Sequence, residues 1–185
     1  DFCYTLSPLA ELSGKTIGII GLGSIGKRVA QIAESFDMQI LIHSRSHKDL
    51  RGFKNARQVK KDELFSVSDF ITCHCPLTAE TENLINADSL SKMKSSAVLI
   101  NTSRGPVVDE NALANALNTG KIAGAALDVL KKEPADSENP LLNAKNCIIT
   151  PHIAWAAKET RARLLSILDR NIECYLAGKP QNKVN

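Results

Sequence analysis

The chain has 185 residues, 43% of them hydrophobic and 23% charged, and its formal net charge is +3. That is an ordinary globular composition with room for one domain and a sizeable core. Its sequence lacks the clustered Lys/Arg of a nucleic-acid footprint, the ~20-residue apolar run of a membrane span and a signal peptide at its start, so neither nucleic-acid nor membrane partners are expected.

Residues 16–21 (TIGIIG) form a short apolar run that stops at glycine and read as a buried strand. A helical pattern follows, with Ile25, Val29, Ile32 and Phe36 at three- and four-residue spacing. Residues 39–43 read as the next strand, and residues 70–75 as another, closed by Pro76. Residues 87–93 read as a short helix and residues 97–101 (AVLIN) as a strand. Asp109 can cap a helix running to Thr119, with Gly120 where a helix C-terminus wants it. Residues 123–129 and 147–150 read as the last strands, and residues 159–177 as a long amphipathic helix ending before Gly178 and Pro180. Strands alternating with helices predict an α/β fold, a doubly wound parallel sheet. The polar stretch 130–139 (LKKEPADSEN) carries no periodicity and reads as a surface or functional loop.

Five scattered cysteines, Cys3, Cys73, Cys75, Cys147 and Cys174, do not look like a disulfide framework, and a reduced, cytoplasmic setting is the simplest expectation. The Cys73-His74-Cys75 run is too tightly spaced for a usual zinc site and has no second ligand pair. Strand alternation also sends His74 to the face opposite the two thiols. No metal is expected.

The run GLGSIG, Gly21 to Gly26, follows a strand and opens a helix. Gly21 permits a tight turn, Gly23 lets the backbone approach a pyrophosphate, and Gly26 allows close helix–strand packing. With Ser24 and Ile25 they are candidate cofactor-binding residues, because the helix N-terminus offers free N–H groups and a positive dipole. A purely structural turn, or the glycine loop of an S-adenosylmethionine site, remains a competing reading. The latter usually wants an acid at the end of the second strand. An NAD site wants one there too, to hold the adenosine ribose. Here that end reads ILIHSRS, and Ser44 stands eighteen positions after Gly26. An acid would repel the 2′-phosphate of NADP. Ser44 can hydrogen-bond it and Arg45 can pair with it, with His43, Ser46 and His47 nearby. A charge-assisted hydrogen bond of about 1.5–3 kcal/mol corresponds to roughly 10- to 100-fold preference for NADPH. The alternative is that Arg45 is a solvated loop residue and the site takes NADH.

Arg104, Glu133 and His152 each follow a strand, at the edge where open parallel sheets bind ligands. A guanidinium grips a carboxylate, and a histidine beside a carboxylate moves a proton near neutral pH. Together they suit binding a 2-keto acid and protonating its carbonyl while a nicotinamide delivers hydride. Singly, each is as readily structural.

From SGKTIGIIGLGSIG through CHCPLTAET, LINTSRGPVVDE, GAALDV and the EP of KKEP to TPHIAW, the chain resembles the nucleotide-binding domain of the D-2-hydroxyacid dehydrogenase family. The resemblance implies a Rossmann-type sheet and NAD(P), with NADP(H) preferred if Ser44-Arg45 acts as above. By that resemblance Arg104 binds the substrate carboxylate and carbonyl, Glu133 supports the histidine, and His152 is the acid/base. Asp128 is expected at the nicotinamide carboxamide. Cys75, Pro76 and Thr102 are expected to line the cofactor, and His152 and Ala154 to stand beside it. The ending HIAW is similar to glycerate dehydrogenases, also called hydroxypyruvate reductases, and Glu133 argues against formate as substrate. Hydroxypyruvate/glycerate or glyoxylate/glycolate is the expected substrate pair. A phosphoglycerate-type dehydrogenase and a dinucleotide-sensing interaction protein are the alternatives. Residues 1–13 are expected as an interdomain link, 14–155 as the dinucleotide-binding domain and 156–185 as a helix returning toward a substrate domain. The family's usual substrate domain is expected to be missing, leaving coenzyme binding but weak turnover. A homodimer is implied.

Overall fold

The computed structural model describes Tyr4 and residues 9–184. The expected link at residues 1–13 therefore lies partly outside the described residues. The chain divides into two compact units, one ending at Thr150 and the other beginning at Pro151.

The first unit is built on seven parallel strands: β1 (Thr16–Ile20), β2 (Gln39–His43), β3 (Ala56–Gln58), β4 (Phe70–Cys73), β5 (Val98–Asn101), β6 (Gly124–Leu127) and β7 (Cys147–Ile149). Their order across the sheet is 3-2-1-4-5-6-7. The helices are α1 (Ser24–Ser35), α2 (Lys61–Val67), α3 (Ala87–Lys92) and α4 (Glu110–Asn118). This is the doubly wound, Rossmann-type order that the alternation of elements predicts. Because a parallel sheet is covered on both faces, its central strands read as near-continuous apolar runs. On one face Ile17, Ile19, Ile40 and Ile42 pack with Ala30 and Ala33 of α1. On the other, Ile20, Leu41, Ile71 and Leu99 pack with Leu64 and Phe65 of α2 and Leu113 of α4.

The element boundaries differ from the sequence reading by one or two residues. One strand and one α-helix escape that reading altogether. β3 is three residues long (ARQ) and exists through its pairing with β2 rather than through any apolar pattern. α2 has seven residues, of which only Leu64 and Phe65 are buried. A third difference concerns α1. Its stripe of large apolar residues does not form the core face: Ile25, Ile32 and Phe36 are 68%, 52% and 53% exposed. The buried face is Gly26, Ala30 and Ala33. Small residues win there because the helix starts directly against the strand it leaves.

The second unit holds α5 (Lys158–Leu176). Its apolar side chains Leu164, Leu165, Ile167 and Leu168 remain half-exposed. Gly178, at φ 72°, ends the helix, and the Lys179 N–H returns to the Cys174 carbonyl. No helix among the described residues is long and apolar enough to cross a membrane.

At the amino edge of the sheet, Asp69 ties β1 to β4. Its carboxylate accepts from the Thr16 N–H at 2.9 Å and from Lys94 Nζ at 2.9 Å. Burial alone would raise the Asp69 pKa, but the Thr16 and Lys94 hydrogen bonds and the lysine charge outweigh it and hold the carboxyl below the usual aspartate range. A depressed carboxyl stabilises fully above its unfolded value and loses that contribution as pH falls through the folded one. Urea melts of wild type should therefore weaken on acidification below about pH 4 more steeply than those of Asp69→Asn, which starts weaker at neutral pH. Parallel acid limbs for the two proteins would refute this role.

Candidate functional site

A cavity of 570 Å³ opens where β1 and β4 end side by side, at the point where the strand order reverses. Crevices at that point, at the carboxyl ends of the strands, are where open α/β sheets bind ligands. Its size suits a bound small molecule. A smaller hollow of 370 Å³ lies on β1–β3 at the opposite edge and lacks any glycine loop.

The glycine loop forms one wall. Gly21 has φ 94°, and a Cβ there would stand 2.7 Å from the His74 carbonyl oxygen and 2.8 Å from the Cys75 nitrogen. Gly26 meets the Gly21 carbonyl and the Ile19 side chain, so close helix–strand packing is its role here. Gly23 is different: a Cβ there would meet nothing within 4 Å. It lines the cavity, and as N-cap of α1 it carries no side-chain cap. The first turn of α1, with Ser24 and Ile25, contains no acidic residue. Open space, free N–H groups and a helix dipole suit the diphosphate of a dinucleotide.

The turn after β2 forms a second wall, with His43, Ser44, Arg45, Ser46 and Lys48 facing the cavity. His47 is exposed and lies outside that lining. Gln58, at the end of β3, braces this turn: its Nε2 donates to the Ser44 and Ser46 carbonyls at 3.3 and 3.0 Å. Its Oε1 accepts from the Lys48 N–H at 2.9 Å. The His43 Nδ1 stands 3.2 Å from the Val59 carbonyl. No acid stands at the end of β2, but one reaches the rim from elsewhere. Glu80 Oε2 is 3.9 Å from Arg45 Nη1.

The third wall is His74, Cys75 and Pro76, after β4. Burial pushes the Cys75 thiol up, and burial plus the neighbouring Cys75 pushes the fully enclosed Cys73 up further, so both stay protonated. Burial likewise lowers the His74 pKa, and its Nε2 is 2.9 Å from Thr72 Oγ1. The wall is therefore uncharged near neutral pH. Among the described residues no group of three or more His, Cys, Asp and Glu is placed to hold a metal.

Arg104, Thr102, Asp128 and Glu133 lie further along the same edge, after β5 and β6. Buried Asn101 shapes the turn after β5: its Oδ1 accepts from the Ser103 N–H and hydroxyl, and its Nδ2 donates to the Arg104 carbonyl. Arg104 is exposed, with Nη1 donating to the Ser103 carbonyl at 2.7 Å. Asp128 is buried and accepts from the Thr150 hydroxyl. Gly105, beside Arg104, passes so close to Leu130 and Lys131 that no Cβ fits between them. This contact brings the arginine turn and the 130–139 loop together. Within the loop, Glu133 Oε1 accepts from the Leu130 N–H at 2.9 Å. Glu110, in the first turn of α4, clasps both ends of the loop, accepting from the Lys131 N–H at 2.7 Å and from Asn139 Nδ2 at 3.0 Å. His152 and Ala154 belong to the second unit. Both are exposed, and His152 adopts left-handed backbone at φ 53°.

Sequence reasoning missed Gln58, Lys48, Lys61, Glu80, Asn101 and Glu110. Glu80, Asn101 and Glu110 stand inside the runs CHCPLTAET and LINTSRGPVVDE, which gave them a local signal, whereas Lys48, Gln58 and Lys61 stand outside every motif. An exposed carboxylate–amide hydrogen bond contributes about 0.5–1.5 kcal/mol. Glu110→Ala should therefore speed hydrogen exchange at the Lys131 amide by roughly 2- to 10-fold while leaving strand amides protected. Unchanged exchange at Lys131 would refute the clasp.

Residues 4–154 match the family model for the D-isomer specific 2-hydroxyacid dehydrogenase, NAD binding domain. The chain is 48% identical over 185 residues to a hydroxypyruvate reductase of Blautia hydrogenotrophica, covering 100% of this chain and 58% of that protein. It is 45% identical over 186 residues to a glycerate dehydrogenase of Methylorubrum extorquens, covering 100% of this chain and 57% of that one. The chain thus spans under three fifths of the length of these curated relatives. Among solved structures, an acyclic imino acid reductase in complex with NADPH and D-Arg superposes with TM-score 0.86 at 41% identity, over 95% of this chain and 55% of that one. The NAD-complexed form of a D-isomer specific 2-hydroxyacid dehydrogenase from Lactobacillus delbrueckii ssp. bulgaricus superposes with TM-score 0.88 at 30% identity, over 100% and 61%.

Proposed function

Because this chain belongs to the D-isomer specific 2-hydroxyacid dehydrogenase family, through its NAD-binding domain, we propose that the protein is an NADPH-preferring reductase of a small 2-keto acid. The substrate class we favour is hydroxypyruvate or glyoxylate, since the relatives above are a hydroxypyruvate reductase and a glycerate dehydrogenase. The observation that carries the coenzyme half of this reading is the cavity at the ends of β1 and β4. It joins an open glycine loop to a turn bearing Ser44 and Arg45, with no acid at the end of β2.

In this reading the first N–H groups of α1, at Gly23, Ser24 and Ile25, hold the diphosphate, and Gly21 and Gly26 let the backbones close around it. Ser44 and Arg45 take the 2′-phosphate. Uncharged Cys75 and Pro76 wall the cavity, with Thr102 further along the edge. Asp128 takes the nicotinamide carboxamide, and Ala154 stands beside the coenzyme. A bound nicotinamide supplies the hydride. Arg104 grips the substrate carboxylate with its planar fork. His152 gives its proton to the keto oxygen, and Glu133 supports it in that role. Residues 14–155 carry the coenzyme site in this assignment, and two copies associate as a homodimer.

Titration of the full-length protein with NADPH and NADH at one ionic strength, followed by nicotinamide fluorescence, tests the coenzyme assignment. NADPH should bind tighter by about tenfold or more, and Arg45→Ala should erase that margin. Equal or tighter NADH binding would overturn it. His152→Ala should leave coenzyme affinity within a few-fold and reduce reduction of hydroxypyruvate by at least about 10²-fold. Turnover retained within tenfold would remove His152 from the acid/base role.

A further inference from the structure

We propose that Glu80 moderates the coenzyme preference of this cavity, as a counter-ion to Arg45 presented from the opposite wall. The proposal rests on the reading that the turn after β2 receives the adenosine end of the coenzyme. Arg45 follows β2 and Glu80 follows β4, and both line the cavity mouth. Their charged ends stand 3.9 Å apart, with the side chains 84% and 72% exposed.

Both partners are mounted on fixed turns. Gln58 braces the Arg45 turn through its three hydrogen bonds. Thr81, next to Glu80, donates from its hydroxyl to the Pro76 carbonyl at 2.6 Å and accepts from the Thr78 N–H at 2.8 Å. The Glu82 N–H closes the same turn on the Thr78 carbonyl at 2.9 Å. The backbone that carries Glu80 is therefore held at the rim independently of Arg45.

A 2′-phosphate entering this mouth competes with Glu80 for the guanidinium. Once bound, it lies within a Debye length of an uncompensated carboxylate. Lys48 and Lys61, which line the same cavity, offset the repulsion, so phosphate is still accepted. A free ribose 2′-hydroxyl meets the opposite situation. It is a donor, and a carboxylate is the acceptor that NAD-type sites provide at the end of the second strand. Here that acid is supplied from the β4 side instead. Glu80 thus narrows an NADPH preference that Ser44 and Arg45 alone would make wider.

The test is Glu80→Gln in the full-length protein, alone and combined with Arg45→Ala. The readouts are dissociation constants for NADPH, NADH and adenosine 2′,5′-bisphosphate at low and high salt, with thermal melts as the folding control. An exposed ion pair predicts that Glu80→Gln tightens NADPH and the bisphosphate by about two- to fivefold and does not tighten NADH. The gain should shrink at high salt and in the Arg45→Ala background. Equal changes for both coenzymes, or changes in NADPH affinity below about 1.5-fold, would overturn the role of Glu80 while leaving Arg45 as the phosphate site. Failure of the underlying reading looks different: Arg45→Ala would then leave NADPH and bisphosphate affinity intact.

Discussion

Three backbones meet at the end of β1, and the site depends on how closely they pass. Gly21 has no room for a side chain against His74 and Cys75, and Gly26 has none against Gly21 itself. The start of α1 is thereby held against the ends of β1 and β4. A helix that begins this close to its own strand can bury only small residues, which is why Ala30 and Ala33 form its core face while Ile25, Ile32 and Phe36 point away. The gap left beside Gly23 is the mouth of the cavity. One steric constraint therefore shapes the helix packing, the open loop and the free N–H groups together.

Around that core the carboxyl edge is organised by single polar side chains, acting within a turn at Asn101 and between separate segments at Gln58 and Glu110. Gln58 holds the turn after β2, Asn101 holds the turn after β5, and Glu110 holds the 130–139 loop. Each bonds backbone groups of a loop or turn. Gly105 adds a packing contact that sets the Arg104 turn against Leu130 and Lys131. Loops with little apolar content thus hold defined shapes without forming regular elements.

The electrostatics of the cavity are divided between its walls. The β4 wall is neutral, because burial keeps both thiols protonated and lowers the His74 pKa. The β2 wall and its surroundings bring Arg45, Lys48 and Lys61 against the one carboxylate of Glu80. An anion finds a positive rim and a neutral interior wall. Selectivity between two coenzymes that differ by one phosphate then turns on the rim alone.

Much of this was determined by the sequence alone. Central parallel strands are buried on both faces, so TIGII and QILIH had to be apolar throughout, and alternating strands and helices implied the doubly wound sheet. The glycine spacing located the tight turn because a positive φ and close approach leave few alternatives. The motifs carrying Arg104, Glu133 and His152 gave the family likeness. Other features were decided only by the tertiary structure. β3 is a polar edge strand that exists through pairing with β2, and the inward face of α1 follows from the approach at Gly26 rather than from its apolar periodicity. The braces at Gln58 and Glu110, and the meeting of Arg45 with Glu80, join residues separated by up to several elements. Such contacts leave no local signature, because a side chain's partner across the sheet edge is chosen by how the chain folds back and not by its neighbours in sequence.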